Sequence, residues 1–251
     1  MEYKFTPEKE NYEMYASGGV FYAQPKHPAF PVRLSNEIFR RCVALGGFSA
    51  PCHIYDPCCG SAYHLAIIAY FNWDKIASIT ASDIDSDTLT FAKRNLSLLE
   101  LGGFDRRITE ITKLYEQFGK ESHATTLHHA TILKNQLAEF HAIHPIQTHL
   151  FHADATDSTA IQHEWDDKKV DIVITDIPYG WHSEWHPNSL AVTAKTDPIQ
   201  NLFEALLPIL HPNSVVAIAA GKQDKIRHAR YARLDKMSVG KRQVVILRPI
   251  F

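Results

Sequence analysis

The stretch HIYDPCCGSAYHL, residues 53–65, constrains the fold more than any other part of the chain. Residues 53–55 have the pattern of a buried strand and residues 56–61 that of a tight turn, after which apolar side chains recur at helical spacing. Glycine in such a turn lets a ligand approach the backbone, where free N–H groups of the new helix point outward. In open α/β sheets, ligands bind at the carboxyl ends of the strands. The stretch therefore predicts an α/β sheet with a ligand crevice above this turn.

Length and composition exclude several classes of protein. The chain has 251 residues, of which 45 % are hydrophobic and 22 % charged, as in an average globular protein. No apolar run approaches the roughly 20 residues that span a bilayer, and the charged N-terminus does not resemble a signal peptide. These features predict a cytoplasmic protein that does not bind membranes. Because the formal net charge is −2, any nucleic-acid binding must come from a local basic patch.

The cysteines and histidines do not indicate a metal site. The four cysteines have no CxxC spacing, so we interpret them as reduced, small apolar side chains. The 15 histidines include no HExxH pattern. The group at His123, His128 and His129 lies in a helical pattern and is interpreted as surface. The sequence therefore predicts that no metal is bound.

Apolar runs alternate with helical patterns along most of the chain. Five strands separated by helices predict a mostly parallel, doubly wound sheet, and a last pair joined at Val239–Lys241 predicts an antiparallel hairpin at one edge. We predict a single domain over residues 1–251, with an N-terminal extension at about 1–31 and a helical insertion at about 102–145. Further predictions are a strand near Val20–Ala23, a cap at Ser86 or Asp87 for the helix after the second strand, and a helix over 198–210.

Three aspartates end three successive predicted strands: Asp56, Asp83 and Asp154. Carboxylates at one rim of a sheet can accept hydrogen bonds from a ribose diol, an α-ammonium group or an adenine amine. Asp83 follows the glycine turn by about 20 residues, the place where an acidic residue binds the ribose in nucleotide-binding βαβ units. Any one of them alone is better explained by turn chemistry, but the three together favour a nucleotide-like ligand. A GxGxxG fingerprint and a phosphate loop are both absent from the sequence, which argues against a dinucleotide-dependent or nucleotide-hydrolysing enzyme.

The segment DIPYG, residues 176–180, follows the fourth predicted strand. Asp176 and the carbonyl of Ile177 or Pro178 can accept hydrogen bonds from an exocyclic amine and aim its lone pair, and Tyr179 can stack on the base. An ordinary proline turn with a packed tyrosine is the structural alternative. The position at a strand end favours a catalytic role for Asp176, Pro178 and Tyr179.

Basic side chains are concentrated near the C-terminal end of the sequence. Such a local excess in a slightly acidic chain is typical of phosphate contact, so we predict RNA binding there, with Arg33 as a further contact. Scattered solvated bases are the alternative for each residue taken singly. The predicted RNA-binding residues of this region are Lys222, Lys225, Arg227, Arg230, Lys241 and Arg242.

The ordered motifs DPCCGS (56–61), SDID (82–85), Asp154 and DIPY (176–179) resemble those of S-adenosylmethionine (SAM)-dependent amino-methyltransferases. Further stretches narrow the resemblance to the AviRa family, which methylates a guanine of bacterial 23S rRNA and confers resistance to the orthosomycin avilamycin. These stretches are HPAFPVRLSNEIFRR (27–41), YDPCCGSAYHL (55–65), ASDIDSDTL (81–89), QFGK (117–120) and DIVITDIPYG (171–180).

The resemblance implies a Rossmann-like class I methyltransferase with a seven-stranded sheet, SAM as cofactor, and 23S rRNA or the large ribosomal subunit as partner of a monomeric enzyme. By position, Asp56, Cys58, Gly60 and Ser61 would line the methionine end of SAM. Asp83 would bind its ribose and Asp154 its adenine, and Asp176 with Tyr179 would bind the target base.

One departure from the family motif is Ala62, which stands where a second glycine is usual. Either its methyl group narrows the approach to the cofactor or the backbone there has a φ that alanine tolerates.

Two other classes of function remain open from the sequence. The first keeps SAM and changes the acceptor to a tRNA guanine, a DNA adenine or a protein glutamine, all of which present a planar amine. The second is a non-catalytic RNA-binding or ribosome-assembly protein with a relict cofactor pocket.

Overall fold

A computed structural model describes residues 2–25, 29–165, 168–177 and 197–251. These residues form seven α-helices and seven strands, with short 3₁₀ turns at 13–15, 73–75 and 207–209. The helices are α1 (Val32–Gly46), α2 (Tyr63–Phe71), α3 (Ser86–Ser97), α4 (Leu101–Phe118), α5 (Glu121–Ile143), α6 (Ser158–His163) and α7 (Pro198–Leu206). The strands are β1 (Cys52–Asp56), β2 (Ile76–Asp83), β3 (Gln147–His152), β4 (Val170–Asp176), β5 (Leu210–Gly221), β6 (Tyr231–Val239) and β7 (Arg242–Pro249).

The seven strands form one mixed sheet in the order β3-β2-β1-β4-β5-β7-β6. The first five strands in this order are parallel, whereas β7 runs antiparallel between β5 and β6. This arrangement confirms the predicted Rossmann-like class I methyltransferase fold with its antiparallel terminal hairpin. The carboxyl ends of β1, β2, β4 and β5 therefore lie at one rim of the sheet, and the amino end of β7 joins them there.

Apolar side chains cover both faces of the sheet, as expected for central parallel strands. Ile54 of β1 belongs to a cluster with α1, α2, α3 and the insertion, whereas its neighbour Tyr55 belongs to a cluster with α6 and α7. Both residues are fully buried. The strand thus alternates between two cores, and the glycine turn that follows it is fixed from both sides.

The helical insertion consists of α4 and α5, which pack against each other. The helices break at Gly119, which has a φ of 59° and ends α4. Phe140 of α5 stacks on Trp73 with ring centroids 5.1 Å apart, so the insertion is anchored at the amino edge of β2.

Three local predictions differ from the structure. The strand predicted near Val20–Ala23 is only an isolated bridge between Ser17 and Phe21. The cap of α3 is Asp85, whose carboxylate accepts hydrogen bonds from the first-turn N–H groups, and not Ser86 or Asp87. The helix predicted over 198–210 ends at Leu206, because β5 already begins at Leu210. Over the residues described, no helix has the length and apolarity needed to cross a membrane.

Candidate active site

The glycine turn after β1 is held by its own backbone and by β2. Gly60 has a φ of 53°, and its N–H donates to Oδ2 of Asp83 at 2.8 Å. A Cβ at Gly60 would meet no atom of the described residues within 4 Å, so this part of the structure leaves the space above Gly60 open. The N–H of Cys59 donates to the carbonyl of Ser82. The turn therefore presents an open, glycine-lined surface beside the carboxylate that ends β2.

Ala62 also has a left-handed backbone, with a φ of 51°, and directly precedes α2. It is fully buried within the apolar cluster of α1 and α2. Its methyl group therefore packs in the core, and the backbone takes on the strain that a second glycine would avoid.

The three strand-ending aspartates lie at the same rim, as predicted. All three carboxylates act on the thiol of Cys58, whose pKa is raised by burial first and then by these negative charges. Burial also raises the pKa of Asp83, against the hydrogen bonds that it accepts from Asp85 and Gly60. Asp154 is held by the N–H and hydroxyl of Thr156.

Asp56 is fully buried and faces the interior of the turn. Its Oδ1 accepts from the N–H of Cys58 at 3.0 Å, and its Oδ2 lies 3.0 Å from Nε2 of His64. These contacts favour a positioning role for Asp56. Direct contact of Asp56 with a cofactor stays a prediction.

Ser61 is connected to the N-terminal segment through Asn95. The buried amide of Asn95 donates to the carbonyls of Ser61 and Tyr22 and accepts from the N–H of Tyr22. The N-terminal extension thus fixes the back of the glycine turn.

Asp176 ends β4 at the same rim. Its Oδ2 lies 3.7 Å from the guanidinium of Arg242, and its Oδ1 has no hydrogen-bond partner among the described residues. Burial raises the pKa of Asp176 to about 6, although Arg242 and His64 act in the opposite direction. The result is a carboxylate that is a stronger base than an ordinary aspartate, with one buried oxygen that has no partner in the described part of the chain.

Two side chains near Asp176 were not predicted from the sequence. A small cavity beside Asp176 is lined by residues that include Phe30 and His64, whose rings lie 5.8 Å apart. In the sequence, His64 comes shortly after Asp56, beyond the glycine turn and at the start of α2. This closeness in sequence was the signal that could have predicted its place near the site. For Phe30 the sequence carried no signal, because its position depends on how the N-terminal extension folds back.

The predicted RNA-binding residues near the C-terminal end of the sequence lie in three places. Lys222, Lys241 and Arg242 lie at the rim, where Arg242 pairs with Gly221 and the N–H of Lys222 donates to the carbonyl of Lys241. Arg230 lies at the opposite end of the sheet, next to Tyr231, and its guanidinium is 3.9 Å from Glu204. The exposed Lys225 and Arg227 occupy the connection between these ends.

Arg33 already has partners within the chain. Its guanidinium donates to the carbonyls of Thr6 and Pro7 and lies 3.8 Å from the ring centroid of Tyr3. It therefore anchors the N-terminal segment to α1, and its contact with RNA stays a prediction.

Pro178 and Tyr179 lie outside the described residues, so their predicted catalytic roles, and the predicted approach of Tyr179 to Gly60, stay predictions. Among the residues that are described, no cluster of three or more metal-ligating side chains occurs.

The residues of the rim fit SAM as a cofactor. The described residues leave room above Gly60 for a ligand close to the backbone. Asp83 and Asp154 supply carboxylate oxygens suited to ribose hydroxyls and an adenine amine. Asp176 lies across the rim, at the end of the strand that pairs with β1.

Comparisons with known proteins show relatives that match almost the whole chain. A family model described as rRNA methyltransferase AviRa matches residues 1–242. The 23S rRNA (guanine(2535)-N(1))-methyltransferase of Streptomyces viridochromogenes is 31 % identical over 246 residues, 98 % of this chain and 95 % of the relative.

Solved structures show the same relationship. The rRNA methyltransferase aviRa from S. viridochromogenes superposes with a TM-score of 0.87 at 30 % identity, covering 99 % of this chain and 96 % of that one. TrmN from Thermus thermophilus shares the fold, with a TM-score of 0.51 at 14 % identity over 90 % of this chain and 52 % of that one. The rim geometry, the family model and the relative agree, and the chain belongs to the AviRa family of rRNA methyltransferases.

Proposed function

We propose that this protein transfers a methyl group from SAM to N1 of a guanine in 23S rRNA, either free or within the large ribosomal subunit. The observation that carries the proposal is the carboxylate of Asp176, which lies at the rim of the glycine turn with Oδ1 unpartnered among the described residues. The name of the S. viridochromogenes relative supports the choice of substrate and of N1. N1 is a ring nitrogen, whereas the sequence motifs predict methylation of the exocyclic amine.

Methylation at N1 needs a base, because this nitrogen carries a proton in neutral guanine. When bound, SAM supplies an electrophilic methyl group on a sulfonium sulfur, which keeps the electron pair of the broken bond. Asp176 accepts the N1 proton, and the pair of the N–H bond becomes the new N–C bond. A carboxylate with a pKa of about 6 is ionised at neutral pH and is a better proton acceptor than an aspartate of ordinary pKa.

The rim residues would hold the cofactor in one orientation. Gly60 leaves room for close approach, Asp83 accepts from the ribose, and Asp154 from the adenine amine. Asp56 fixes the turn through Cys58 and His64. Orientation of two reactants in one site supplies much of the acceleration in such a transfer.

The decisive experiment offers labelled SAM to large ribosomal subunits, naked 23S rRNA, tRNA, DNA and protein, followed by nucleoside analysis by mass spectrometry. We expect 1-methylguanosine from 23S rRNA, with primer extension stopping at the modified guanine because its pairing edge is blocked. N2-methylguanosine would contradict the assignment to N1. Label in tRNA, DNA or protein instead would contradict the assignment to rRNA.

Asp176→Asn tests the base directly. We expect kcat to fall by about 10²- to 10⁴-fold because the amide cannot accept the proton. Calorimetry with SAM should give an affinity within about twofold of wild type, since β4 keeps its shape. The matched control is Asp74→Asn, which removes an exposed carboxylate far from the rim and should leave kcat unchanged. Full activity in Asp176→Asn would refute the role of Asp176.

Asp83→Ala tests the cofactor site without depending on activity. We expect calorimetry to show SAM affinity weakened by at least about tenfold, because a charged acceptor of the ribose hydroxyls is lost. Unchanged affinity would contradict the placement of SAM above Gly60.

We further propose that the enzyme acts as a monomer in the cytoplasm and that the modification lowers sensitivity to avilamycin. Light scattering of the purified protein tests the first part. The inhibitory concentration of avilamycin for a sensitive host carrying wild type or Asp176→Asn tests the last.

A further inference from the structure

Arg242 differs from the other basic residues of the rim in that its guanidinium lies beside Asp176. It begins β7 and pairs with Gly221 at the end of β5. Its guanidinium lies 3.7 Å from Asp176 and 5.1 Å from the ring centroid of Phe30. The side chain is only 20 % exposed, against 26 % for Asp176. A fixed cation therefore stands beside the carboxylate, and the face of an aromatic ring orients it.

The pair matches the pairing edge of guanine. That edge carries the O6 acceptor beside the N1–H and N2–H donors. A carboxylate accepts from the two donors, and a neighbouring guanidinium donates to the oxygen. Adenine presents an amine in place of O6 and a lone pair in place of N1–H. The guanidinium would then meet a donor and the carboxylate an acceptor, so neither could form a hydrogen bond.

We propose that Arg242 is a catalytic and specificity-determining residue, which donates to O6 of the target guanine while Asp176 binds N1–H. The inference rests on the proposed function and assigns Arg242 to the base rather than to a phosphate. As the N1 proton passes to Asp176, negative charge spreads from N1 to O6. A guanidinium already in place at O6 stabilises this charge without reorganisation.

The surroundings of Arg242 separate it from its basic neighbours. Lys222 and Lys241 are exposed, as expected for phosphate contacts. A phosphate on Arg242 would bring a second anion next to Asp176, whose pKa is raised by burial and further by the negative charge of Asp56. The base edge, which brings a neutral acceptor, fits the position without that repulsion.

The test compares Arg242→Gln and Arg242→Lys with Lys241→Gln, using SAM and the 23S rRNA substrate of wild type. We expect Arg242→Gln to lower kcat by about 100-fold and to move the acidic limb of the pH–rate profile up by about one pH unit, because a cation beside Asp176 is removed. Arg242→Lys should keep the limb and recover only part of kcat, because it keeps the charge and loses the fork.

Lys241→Gln is the matched control for loss of a rim cation. We expect it to raise KM, to reduce the slope of binding against salt by about one, and to leave the pH limb in place. The inference is overturned if Arg242→Gln shows this same pattern with kcat unchanged. Failure of the proposed function is seen separately, in wild type, as the absence of 1-methylguanosine before any variant is compared.

Discussion

Two carboxylates of this protein, Glu37 and Asp176, each lie beside an arginine and yet have opposite properties. Glu37 is completely buried, 2.7 Å from Arg41, and also accepts from the N–H groups of Lys4, Phe5 and Thr6. Burial raises its pKa, but these hydrogen bonds outweigh burial and the pKa is lowered. Asp176 is more exposed, yet burial dominates there and its pKa is raised.

The two carboxylates differ in their hydrogen-bond donors: burial raises the pKa of both, and only Glu37 has enough donors to outweigh it. Glu37 has a donor for each oxygen and serves to tie the N-terminal segment to α1. Asp176 has an arginine at 3.7 Å and one oxygen without a partner among the described residues. A buried acceptor without a full set of hydrogen bonds lowers the stability of the fold, but it can accept a hydrogen bond from a substrate.

The largest effect on stability is expected at Glu37, the carboxylate that has a donor for each oxygen. Glu37→Gln should lower the free energy of unfolding by about 3 kcal/mol, because Arg41 loses a buried partner and the backbone donors of residues 4–6 lose a charged acceptor. Urea denaturation at neutral pH measures this loss. Glu13→Gln, at an exposed position in the same segment, should stay within about 0.5 kcal/mol of wild type. Equal stability of the two variants would remove the contrast drawn above.

The opposite sign is expected at Asp176. Its pKa of about 6 in the folded protein exceeds the ordinary value of 3.8. The ionised carboxylate, which predominates above pH 6, therefore destabilises the folded state. The destabilisation that Asp176 contributes to wild type should therefore disappear as pH falls from about 6 to 4. Asp176→Asn should be more stable than wild type by on the order of 2 kcal/mol at pH 8, and this advantage should vanish near pH 4. Urea midpoints at both pH values test this, and a destabilised variant at pH 8 would contradict it.

The same raised pKa sets the pH dependence of the reaction. The base must be ionised, so kcat/KM for the RNA should be constant above about pH 7 and fall roughly tenfold between pH 7 and pH 5. Circular dichroism at pH 5 controls for unfolding. A profile that is flat down to pH 5 would show that Asp176 does not take the proton.

The smallest effect is expected at Ala62, which lies beside the glycine turn of the candidate active site and has a strained, left-handed backbone. Ala62→Gly should relieve about 1 kcal/mol of left-handed strain and lose about as much from a buried methyl group, for a net change under about 1 kcal/mol. Ala66→Gly, equally buried but in the interior of α2, should cost about 2 kcal/mol. Urea denaturation compares the two, and equal losses would mean that Ala62 is unstrained.

The sequence predicted the parts of the site that depend on local pattern. Strands β1, β2 and β4 end at a carboxylate and Asp154 follows β3 by two residues, so all four aspartates could be placed at one rim from the order of residues alone. The sheet and its terminal hairpin follow from apolar periodicity and turn chemistry in the same way.

The sequence did not predict the environment of Asp176. Arg242 reaches it because β7 inserts antiparallel between β5 and β6, and Phe30 reaches it because the N-terminal extension folds back. Both depend on tertiary packing between segments far apart in the chain, and no local pattern records that. For this reason the sequence groups Arg242 with the phosphate contacts and indicates for His64 only a place in a helix.

The insertion of β7 between β5 and β6 has a consequence during translation. Asp176 and the glycine turn emerge from the ribosome well before Arg242, and the sheet cannot bring the two charges together until its last strand has been synthesised. Until β7 has been synthesised, a nascent chain therefore holds an incomplete site.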